Sequence, residues 1–365
     1  MGWENTPAQP KAGPTSFNVR DTDGPVEMVT GPPPYYSTEP QDYPRRNMRS
    51  QPALPWWNPK SWRKRTWAIV VIAFIIIIIV AVVTPVEVAK ANRYPNYTKL
   101  NYALADEYSG TTFFDKFNYF VGYDPAQGFV HYVPEAQATQ LNLTYASEDS
   151  AIIRVDTSVG PQSEPDASTG RFSVRIESQA QYDNGLFIFD VKHTPFGCGT
   201  WPALWLVDPA NWPDHGEIDV MEAANKATDG NQMTLHTTDG CSMDVKRIMS
   251  DSGLSNDCHN ATDNNAGCGV RGDAATYGSA YNDGQGGIIA MEWRNEDFPN
   301  TNCDIGSHFK NQSIIANIDL CGQYAGALYA SSGCPSNCTD YVANNPEAFT
   351  DAFWEFGKFE VYKAT

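Results

Sequence analysis

The chain has 365 residues and a formal net charge of −18 at pH 7. This acidic excess disfavours nucleic acids and anionic wall polymers as partners, because both would be repelled, whereas a neutral polymer would not. The sequence also contains no phosphate-cradling glycine loop, no nucleotide-binding fingerprint and no serine-centred nucleophile elbow, which argues against three large classes of enzyme.

Residues 1–62 are rich in proline and polar residues and show little hydrophobic periodicity. A segment of this kind cannot bury a core, so we predict a disordered tail. Within it, Pro32-Pro33-Pro34-Tyr35 matches the P-P-x-Y ligand of WW domains and would be pre-extended as polyproline II. A WW-domain protein is therefore a candidate partner at Pro32–Tyr35, although so short a motif also arises by chance in proline-rich tails.

Residues 67–83 form an unbroken apolar run without a charged residue. At ~1.5 Å per residue in a helix, the run nearly spans the ~30 Å hydrocarbon core of a bilayer. A helix buried in a protein core is the alternative, but the run has no polar face. It also begins too far from the N-terminus for a cleaved signal peptide. We predict a single transmembrane signal anchor over residues 63–85, with 67–83 in the lipid bilayer, and a linker over 86–96.

Three features predict the orientation of this anchor. Basic residues concentrate before the run, where Arg63, Lys64 and Arg65 abut it. All the glycosylation sequons follow it, at Asn96, Asn142, Asn260, Asn311 and Asn337. All eight cysteines also follow it, at Cys198, Cys241, Cys258, Cys268, Cys303, Cys321, Cys334 and Cys338. We therefore predict a single-pass type II membrane protein with a cytosolic N-terminus and a lumenal or extracellular C-terminal domain.

An even set of cysteines confined to one side of a membrane is typical of a disulfide framework. Their spacing does not select one pairing among the many that eight cysteines allow. A zinc site is the alternative, and the lack of paired C-x₂-C knuckles disfavours it.

Residues 97–363 carry short alternating segments, many aromatic residues and no long helical apolar pattern. The chain as a whole contains 28 glycines and 25 prolines, which suits frequent turns. These features predict a single all-β sandwich domain over residues 97–363.

The segment 199–207, Gly-Thr-Trp-Pro-Ala-Leu-Trp-Leu-Val, alternates as a strand would. Side chains two apart share a face, so Trp201 and Trp205 lie together, and Trp212 follows in a turn. Indole rings present flat apolar faces on which sugar rings pack. The alternative is that these tryptophans fill the core, since Trp carries a large buried area.

The segment 216–222, Gly-Glu-Ile-Asp-Val-Met-Glu, places three carboxylates in a short apolar strand. Glu217 and Asp219 share one face of this strand by alternation. Strict alternation would send Glu222 to the core face, where an unpaired carboxylate is costly. The consecutive apolar residues Val220 and Met221 predict a one-residue β-bulge, which returns Glu222 to the acidic face.

Carboxyl pairs of this kind carry out glycoside hydrolysis with retention when their carboxyl groups are about 5–5.5 Å apart. One carboxylate then acts as nucleophile and the other as acid and base. The negative charge of Asp219, between the two glutamates, would help Glu222 to keep its proton at neutral pH. A solvated acidic strand face is the alternative.

The segment 232–237, Gln-Met-Thr-Leu-His-Thr, also alternates. Met233 and Leu235 are expected on the core face, and Thr234 and His236 on the opposite face. If this strand neighbours the acidic strand, His236 can hydrogen-bond to a carboxylate or to a sugar hydroxyl. A purely structural histidine is the alternative.

The run from Gly199 to Asn225, GTWPALWLVDPANWPDHGEIDVMEAAN, resembles the catalytic core of glycoside hydrolase family 16, in particular the fungal laminarinase-like endo-1,3(4)-β-glucanases. Further similarity lies in residues 108–133, 173–193, 232–241, 303–312 and 338–363. The resemblance implies a β-jelly-roll sandwich of the concanavalin A-like type, with substrate in a groove on the concave sheet. It also suggests that most of the cysteines form structural bridges.

The family carries an E-x-D-x-x-E motif on a bulged strand. The resemblance therefore assigns Glu217 as nucleophile, Asp219 as electrostatic helper and Glu222 as acid/base. Expected substrate-binding residues are Trp201, Trp205, Trp212, Asn225 and His236. The reaction needs no cofactor, and no metal site is expected.

One segment departs from the family pattern. Only RNEDFPNTN, residues 294–302, separates Trp293 from Cys303, which is too short for the additional strand and long loop of the family. We therefore expect an unpaired strand edge at Glu292–Trp293, in or beside the groove.

The function predicted from these features is endo-hydrolysis of β-1,3 or mixed β-1,3/1,4 glucan by a retaining mechanism at the cell surface. One alternative is a wall-remodelling glucan transglycosylase. The other is a glucan-binding module with weak or no turnover, owing to the missing strand.

Overall fold

A computed structural model of the protein describes residues 55–83, 98–164, 166–250, 252–295 and 303–365. Most of the predicted tail, including Pro32–Tyr35, lies outside the described residues, as do the linker over 86–96 and the sequon at Asn96.

The predicted anchor is helical. A short 3₁₀ turn, Pro59–Ser61, precedes helix α1, Lys64–Ile78, which continues into one wider turn, Ile79–Val83. Lys64–Ala81 is the one helix of the described chain that is long and apolar enough to cross a membrane, and none of it is buried. A helix that is apolar on all sides and uncovered by protein is suited to lipid. Its direction across a bilayer stays a prediction.

The C-terminal domain is built mainly of short strands. In chain order, the strands of the described residues are β1 (Tyr102–Tyr108), β2 (Phe117–Tyr119), β3 (Gly122–Tyr123), β4 (Val130–Tyr132), β5 (Thr144–Ala146), β6 (Ala151–Arg154), β7 (Arg171–Ser173), β8 (Arg175–Tyr182), β9 (Gly185–His193), β10 (Thr200–Val207), β11 (Glu217–Glu222), β12 (Gln232–His236), β13 (Ser252–Gly253), β14 (Cys268–Arg271), β15 (Gly287–Trp293), β16 (Gln312–Leu320) and β17 (Phe353–Ala364). The helices between them are short: α2 (Glu135–Gln140), α3 (Gly278–Asp283), α4 (Ile305–His308) and α5 (Cys338–Asn344). Short segments of other helix types lie at Gly110–Lys116, Ala274–Thr276, Gly322–Gly326 and Pro346–Phe349.

Two large sheets form the sandwich. The eight-stranded sheet has the order β13-β14-β12-β11-β10-β16-β8-β2, and the six-stranded sheet has the order β15-β9-β17-β6-β5, with β1 also paired to β17. A small sheet, β3-β4-β7, completes the domain. One hydrophobic cluster joins inner-face residues of both large sheets, such as Ile218 and Leu204 from one and Phe187 and Phe356 from the other. The predicted all-β sandwich is confirmed.

Met233 is a local exception to the predicted pattern. It was expected on the core face but is 41% exposed. Its strand, β12, lies near the β13 edge of the eight-stranded sheet, and a six-stranded sheet cannot cover the whole of a wider one. The prediction for Met233 is therefore wrong, whereas Leu235 packs against the core as expected.

The strand that ends at Trp293 lies away from the acidic strand. β15 is an edge strand of the six-stranded sheet and pairs, among the described residues, with β9 alone. Trp293 is buried and stacks on Phe187 with ring centroids 6.4 Å apart. The expected free edge therefore exists among the described strands, but its predicted position in or beside the groove is wrong, because β11 belongs to the other sheet. Among the described strands, the short segment 294–302 therefore bears on the edge of the six-stranded sheet and not on the eight-stranded sheet that contains β11.

All eight cysteines are paired. The disulfides are Cys198–Cys334, Cys241–Cys303, Cys258–Cys268 and Cys321–Cys338. This confirms the predicted disulfide framework and leaves no thiolate for the alternative zinc site.

Candidate active site

The bulge in β11 is present where the sequence predicts it. Against β10, Leu204 faces Met221 and Trp205 faces Asp219, which leaves Val220 as the extra residue. Against β12 the register shifts over the same interval, between Asp219 and Glu222. Val220 and Met221 are consecutive and both belong to the core cluster. Glu222 therefore returns to the face that carries Glu217 and Asp219.

Asn231 holds the two ends of this bulge. The backbone N–H of Glu222 donates to Asn231 Oδ1 at 3.0 Å, and Asn231 Nδ2 donates to the carbonyl of Val220 at 2.9 Å. Asn231 is itself buried, and its backbone N–H donates to Thr276 Oγ1. The sequence analysis missed Asn231, because a polar residue just before a strand resembles an ordinary turn residue.

The carboxyls on this face perturb one another. Burial raises the pKa of Glu217, and the charges of Asp219 and Glu222 raise it further. Burial also raises the pKa of Glu222, again with help from Asp219. Opposing these effects, the positive charge of His236 lowers both pKa values, and indole hydrogen bonds favour the ionised forms. The site can therefore hold a carboxylic acid beside a carboxylate near neutral pH.

His236 lies directly opposite Glu217 in the β11–β12 register. Its Nε2 is 3.3 Å from Asp219 Oδ2, and its Nδ1 is 3.0 Å from Asn265 Oδ1. Burial alone would lower its pKa, but contact with Asp219 and the charges of the two glutamates outweigh burial and raise the pKa of His236 to about 9. Of the two predicted partners, the structure places a carboxylate at ion-pairing distance from His236, although Asp219 Oδ2 has no partner with hydrogen-bond geometry.

Glu217, Asp219 and His236 each bring one potential ligand atom to within 4.8 Å of the others. Metal coordination through His236 would require a neutral ring with a free lone pair. A histidine with a pKa of about 9 is protonated near neutral pH, so these residues suit an ion pair better than a metal. The expectation of no metal and no cofactor stays a prediction.

Two of the three tryptophans hydrogen-bond to the carboxyls, and the third, Trp205, lies opposite Asp219 in the β10–β11 register. Trp201 Nε1 donates to Glu222 Oε1 at 2.8 Å, and a hydrogen bond from Trp212 lowers the pKa of Glu217. Trp205 Nε1 donates to Asn317 Oδ1 at 2.8 Å. Trp201 and Trp205 are half-buried and Trp212 is 42% exposed, so each keeps accessible ring surface. This placement favours the groove over the core for all three.

Arg175 and Asn317 support Trp205 and were also missed. The guanidinium carbon of Arg175 lies 5.0 Å from the centroid of the Trp205 ring and 4.7 Å from that of Phe120. Asn317 also donates from Nδ2 to the hydroxyl of Tyr132 at 3.0 Å. These residues come from β8 and β16, whose positions beside β10 follow from long-range pairing and not from local sequence.

Asn225 is surrounded by protein groups, as a structural residue would be. It has no exposed surface, and its backbone is left-handed with φ 55°. Its side chain accepts from the N–H of Gly199 at 2.9 Å and donates to Ala325 O and Ser332 Oγ at 3.0 and 3.2 Å. With no exposed atom to offer, Asn225 is placed to join loops and not to contact substrate.

A side pocket of about 260 Å³ adjoins Glu222. Gln232, Arg271 and Tyr324 line part of it, and Gln232 Oε1 accepts from Arg271 at 3.1 Å and from Tyr324 at 3.2 Å. The polar wall of this pocket suits a hydroxyl-rich ligand next to the carboxyl that would deliver a proton.

Comparison with known proteins identifies the family. A sequence profile described as "XgeA-like, catalytic GH16 domain" matches residues 117–298 and 295–362. The chain belongs to this GH16 family. The two matched stretches overlap at residues 295–298, within the segment where the sequence is shorter than the family pattern.

Relatives of this GH16 protein include a probable glycosidase of Schizosaccharomyces pombe, 39% identical over 75% of the chain and 72% of the relative. A probable endo-1,3(4)-β-glucanase of Aspergillus flavus is 35% identical over 72% of the chain and 44% of the relative. The endo-1,3(4)-β-glucanase XgeA of Emericella nidulans is 32% identical over 72% of the chain and 47% of the relative. The chain thus spans about half the length of these two glucanases.

Solved structures show the same fold. Laminarinase 16A of Phanerochaete chrysosporium, with β-glucans in donor and acceptor sites, is 39% identical with a TM-score of 0.67, over 72% of the GH16 chain and 99% of that protein. An elongating GH family 16 β-1,3-glucosyltransferase is 36% identical with a TM-score of 0.63, over 72% of the chain and all of that protein. The β-sandwich is therefore the GH16 jelly-roll fold, as the resemblance implied.

Proposed function

We propose that the chain is a retaining endo-1,3(4)-β-glucanase that cuts internal β-1,3 or mixed β-1,3/1,4 linkages. The observation that carries this proposal is the bulge in β11, which brings Glu217, Asp219 and Glu222 to one face between Trp201 and Trp212. The names of the GH16 relatives support the glucan substrate.

The roles of the two glutamates follow from their places in the E-x-D-x-x-E motif of the family, because burial raises the pKa of both and does not distinguish acid from nucleophile. Glu222 protonates the leaving glycosidic oxygen while Glu217 attacks the anomeric carbon, and a covalent glycosyl-enzyme forms. Glu222, now ionised, takes a proton from the incoming water, which releases the sugar and restores Glu217. The hydrogen bond from Trp201 fixes Glu222 Oε1 and stabilises the carboxylate that Glu222 becomes after the first proton transfer.

Transglycosylation is the second candidate function. It uses the same glycosyl-enzyme, which a sugar hydroxyl attacks in place of water. The similarity to an elongating β-1,3-glucosyltransferase favours including it. A glucan-binding module without turnover is less well supported, because the carboxyl cluster is assembled and β11 is paired on both sides, with β10 and β12.

Activity on laminarin decides among these candidates. The full-length protein in detergent micelles should release reducing ends, and a Glu217→Gln variant should not. Growth of longer glucan chains without a rise in reducing ends would indicate transglycosylation. If laminarin binds but neither reaction occurs, the enzyme proposal is wrong.

We also propose a cell-surface location with a cytosolic N-terminus. Helix α1 and the basic residues before it support this orientation. In sealed microsomes, protease on the cytosolic side should remove the tail, while Asn142, Asn311 and other sequons carry glycans. A protected tail on an unglycosylated domain would reverse the orientation.

A further inference from the structure

A disulfide-closed loop packs against His236. Cys258 and Cys268 close a short loop that contains Asn265 and Gly267. A Cβ atom on Gly267 would come within 2.7 Å of His236 Cε1 and 2.6 Å of Thr234 Cγ2, and Gly267 also has φ +63°. The loop therefore approaches the imidazole so closely that this position has no room for a side chain.

Both ring nitrogens of His236 face oxygen acceptors. Nδ1 is 3.0 Å from the side-chain oxygen of Asn265, and Nε2 is 3.3 Å from a carboxylate oxygen of Asp219. A neutral imidazole has one N–H and could satisfy only one of these contacts as a donor. The arrangement therefore suits an imidazolium that donates from Nδ1 to Asn265 and pairs by charge, through Nε2, with Asp219, whose Oδ2 is buried without a hydrogen-bond partner of its own.

Among the described residues, the charged groups that act on His236 are carboxyls of the site. Asp219 contacts the ring, and Glu217 and Glu222 interact with it electrostatically. A fixed positive charge here offsets the cost of holding negative charge in a buried cluster. Without it, ionisation of the nucleophile Glu217 would require a higher pH.

We propose that Asn265 is a positioning residue that keeps His236 doubly protonated, and that the held imidazolium sets the pH range in which Glu217 is ionised while Glu222 keeps its proton. This inference rests on the proposed glycosidase function for its kinetic consequence. Its structural part, the link between Asn265 and the protonation of His236, does not depend on catalysis.

The kinetic consequence has a definite sign. The positive charge lowers the pKa of both glutamates. A neutral residue at 236 should therefore move both limbs of the kcat/KM–pH profile to higher pH, by about one unit or more, as expected for loss of a nearby opposite charge. Loss of Asn265 leaves His236 able to protonate at low pH, so its effect should grow as pH rises.

The test combines pH profiles with NMR titration of the full-length protein in detergent. His236→Gln should move both limbs of the kcat/KM–pH profile to higher pH. Asn265→Ala should lower the titration midpoint of His236 by about a unit or more. The kcat/KM–pH profile of this variant should follow that of wild type at low pH and approach the profile of His236→Gln at high pH. Asn265→Asp keeps an acceptor and should retain the high midpoint. Asn264→Ala is the matched control, because Asn264 is also left-handed, with φ 55°, and should leave both readouts unchanged.

The outcomes separate the two proposals. The inference is overturned without any activity measurement if wild-type His236 titrates near the ordinary pKa of about 6.5. It is also overturned if Asn265→Ala leaves the titration midpoint of His236 unchanged. Active enzyme whose profile is unmoved by His236→Gln also overturns it. If no variant or wild type cleaves glucan, the glycosidase proposal fails, while the NMR titration still decides whether Asn265 controls His236.

Discussion

Glu222 and Asn231 are joined by a hydrogen bond of 3.0 Å from the backbone N–H of Glu222 to the side-chain oxygen of Asn231. Asn231 also donates from its side-chain Nδ2 to the carbonyl of Val220 at 2.9 Å. Two backbone groups that the bulge removes from the strand ladder are thereby satisfied by one buried side chain. The position of the acid/base candidate thus depends on a residue outside its strand.

Asn231→Ala should therefore weaken both the fold and the activity. Leaving the two backbone groups unpaired should cost about 1–3 kcal/mol of unfolding free energy for each group that stays dry. Activity should fall further than stability alone explains, because Glu222 loses its anchor. Denaturant unfolding and kcat/KM on laminarin measure the two effects.

Asn231→Asp is the matched comparison. It keeps an acceptor for the N–H of Glu222 but loses the donor to Val220, so it should retain more activity than the alanine variant. Equal, near wild-type rates in both variants would show that the bulge holds Glu222 without Asn231.

The second prediction concerns the carboxyls themselves. Glu217→Gln should prevent formation of the glycosyl-enzyme, and Glu222→Gln should remove the proton donor, so each should lower laminarin hydrolysis by at least about 10²–10⁴-fold. Asp219→Asn should cost less, because Asp219 neither attacks nor delivers a proton. Circular dichroism checks that the variants are folded, and near wild-type rates for either glutamine variant would contradict the assigned roles.

The local features of this site could be predicted from the sequence. The adjacent apolar residues Val220 and Met221 predicted the bulge, and alternation predicted the shared face of Trp201 and Trp205. Both patterns follow from strand geometry over a few residues. His236 was placed correctly for the same reason, once β12 was taken as a neighbour of β11.

The supporting residues could not be predicted, because their contacts join distant parts of the chain. Trp205 donates a hydrogen bond to Asn317, which lies 112 positions later in the sequence. The buried guanidinium of Arg171 likewise donates to the carbonyl of Val342, 171 positions later. Strand order also decides which sheet receives β15, and no local pattern encodes it. Asn225 was chosen by resemblance alone, and its burial depends on the loop around Ala325.

The third prediction is stereochemical. Double displacement inverts the anomeric carbon twice, so the first product released from a β-glucan should be the β-anomer. Proton NMR during the first minutes of hydrolysis distinguishes it from the α-anomer before mutarotation. Initial release of the α-anomer would indicate a single displacement and would refute Glu217 as nucleophile.

The fourth prediction separates the hydrogen-bonding and stacking roles of a tryptophan. The indole N–H of Trp201 favours the ionised form of Glu222 and lowers its pKa. Trp201→Phe keeps an aromatic ring but removes this donor, so the pKa of Glu222 should rise. The alkaline limb of the kcat/KM–pH profile should then move to higher pH.

Trp205→Phe provides the control for this change. The indole of Trp205 donates to the neutral amide of Asn317, so its loss should leave the alkaline limb in place even if KM increases. An alkaline limb that moves equally in both variants would mean that the shift comes from general disturbance of the groove.

The fifth prediction concerns stability. Burial and the charge of Asp219 raise the pKa of Glu222 above its ordinary value of 4.5. A carboxyl that binds its proton more tightly when folded loses stability as pH rises from the unfolded pKa through the folded one. Glu222→Gln cannot ionise, so it should melt at a higher temperature than wild type at pH 8 and at the same temperature at pH 4.

Glu292→Gln should show the opposite sign at pH 8. Although partial burial opposes it, hydrogen bonds from Tyr102 and Arg294 lower the pKa of Glu292, so its ionised form favours the folded state above the unfolded pKa. The glutamine variant should therefore melt at a lower temperature than wild type at pH 8. Thermal unfolding of both variants in one detergent at pH 4 and pH 8 tests the pair. If Glu222→Gln melts below wild type at pH 8, the buried carboxyl is net stabilising when ionised, and the raised pKa on which its role as an acid depends is refuted.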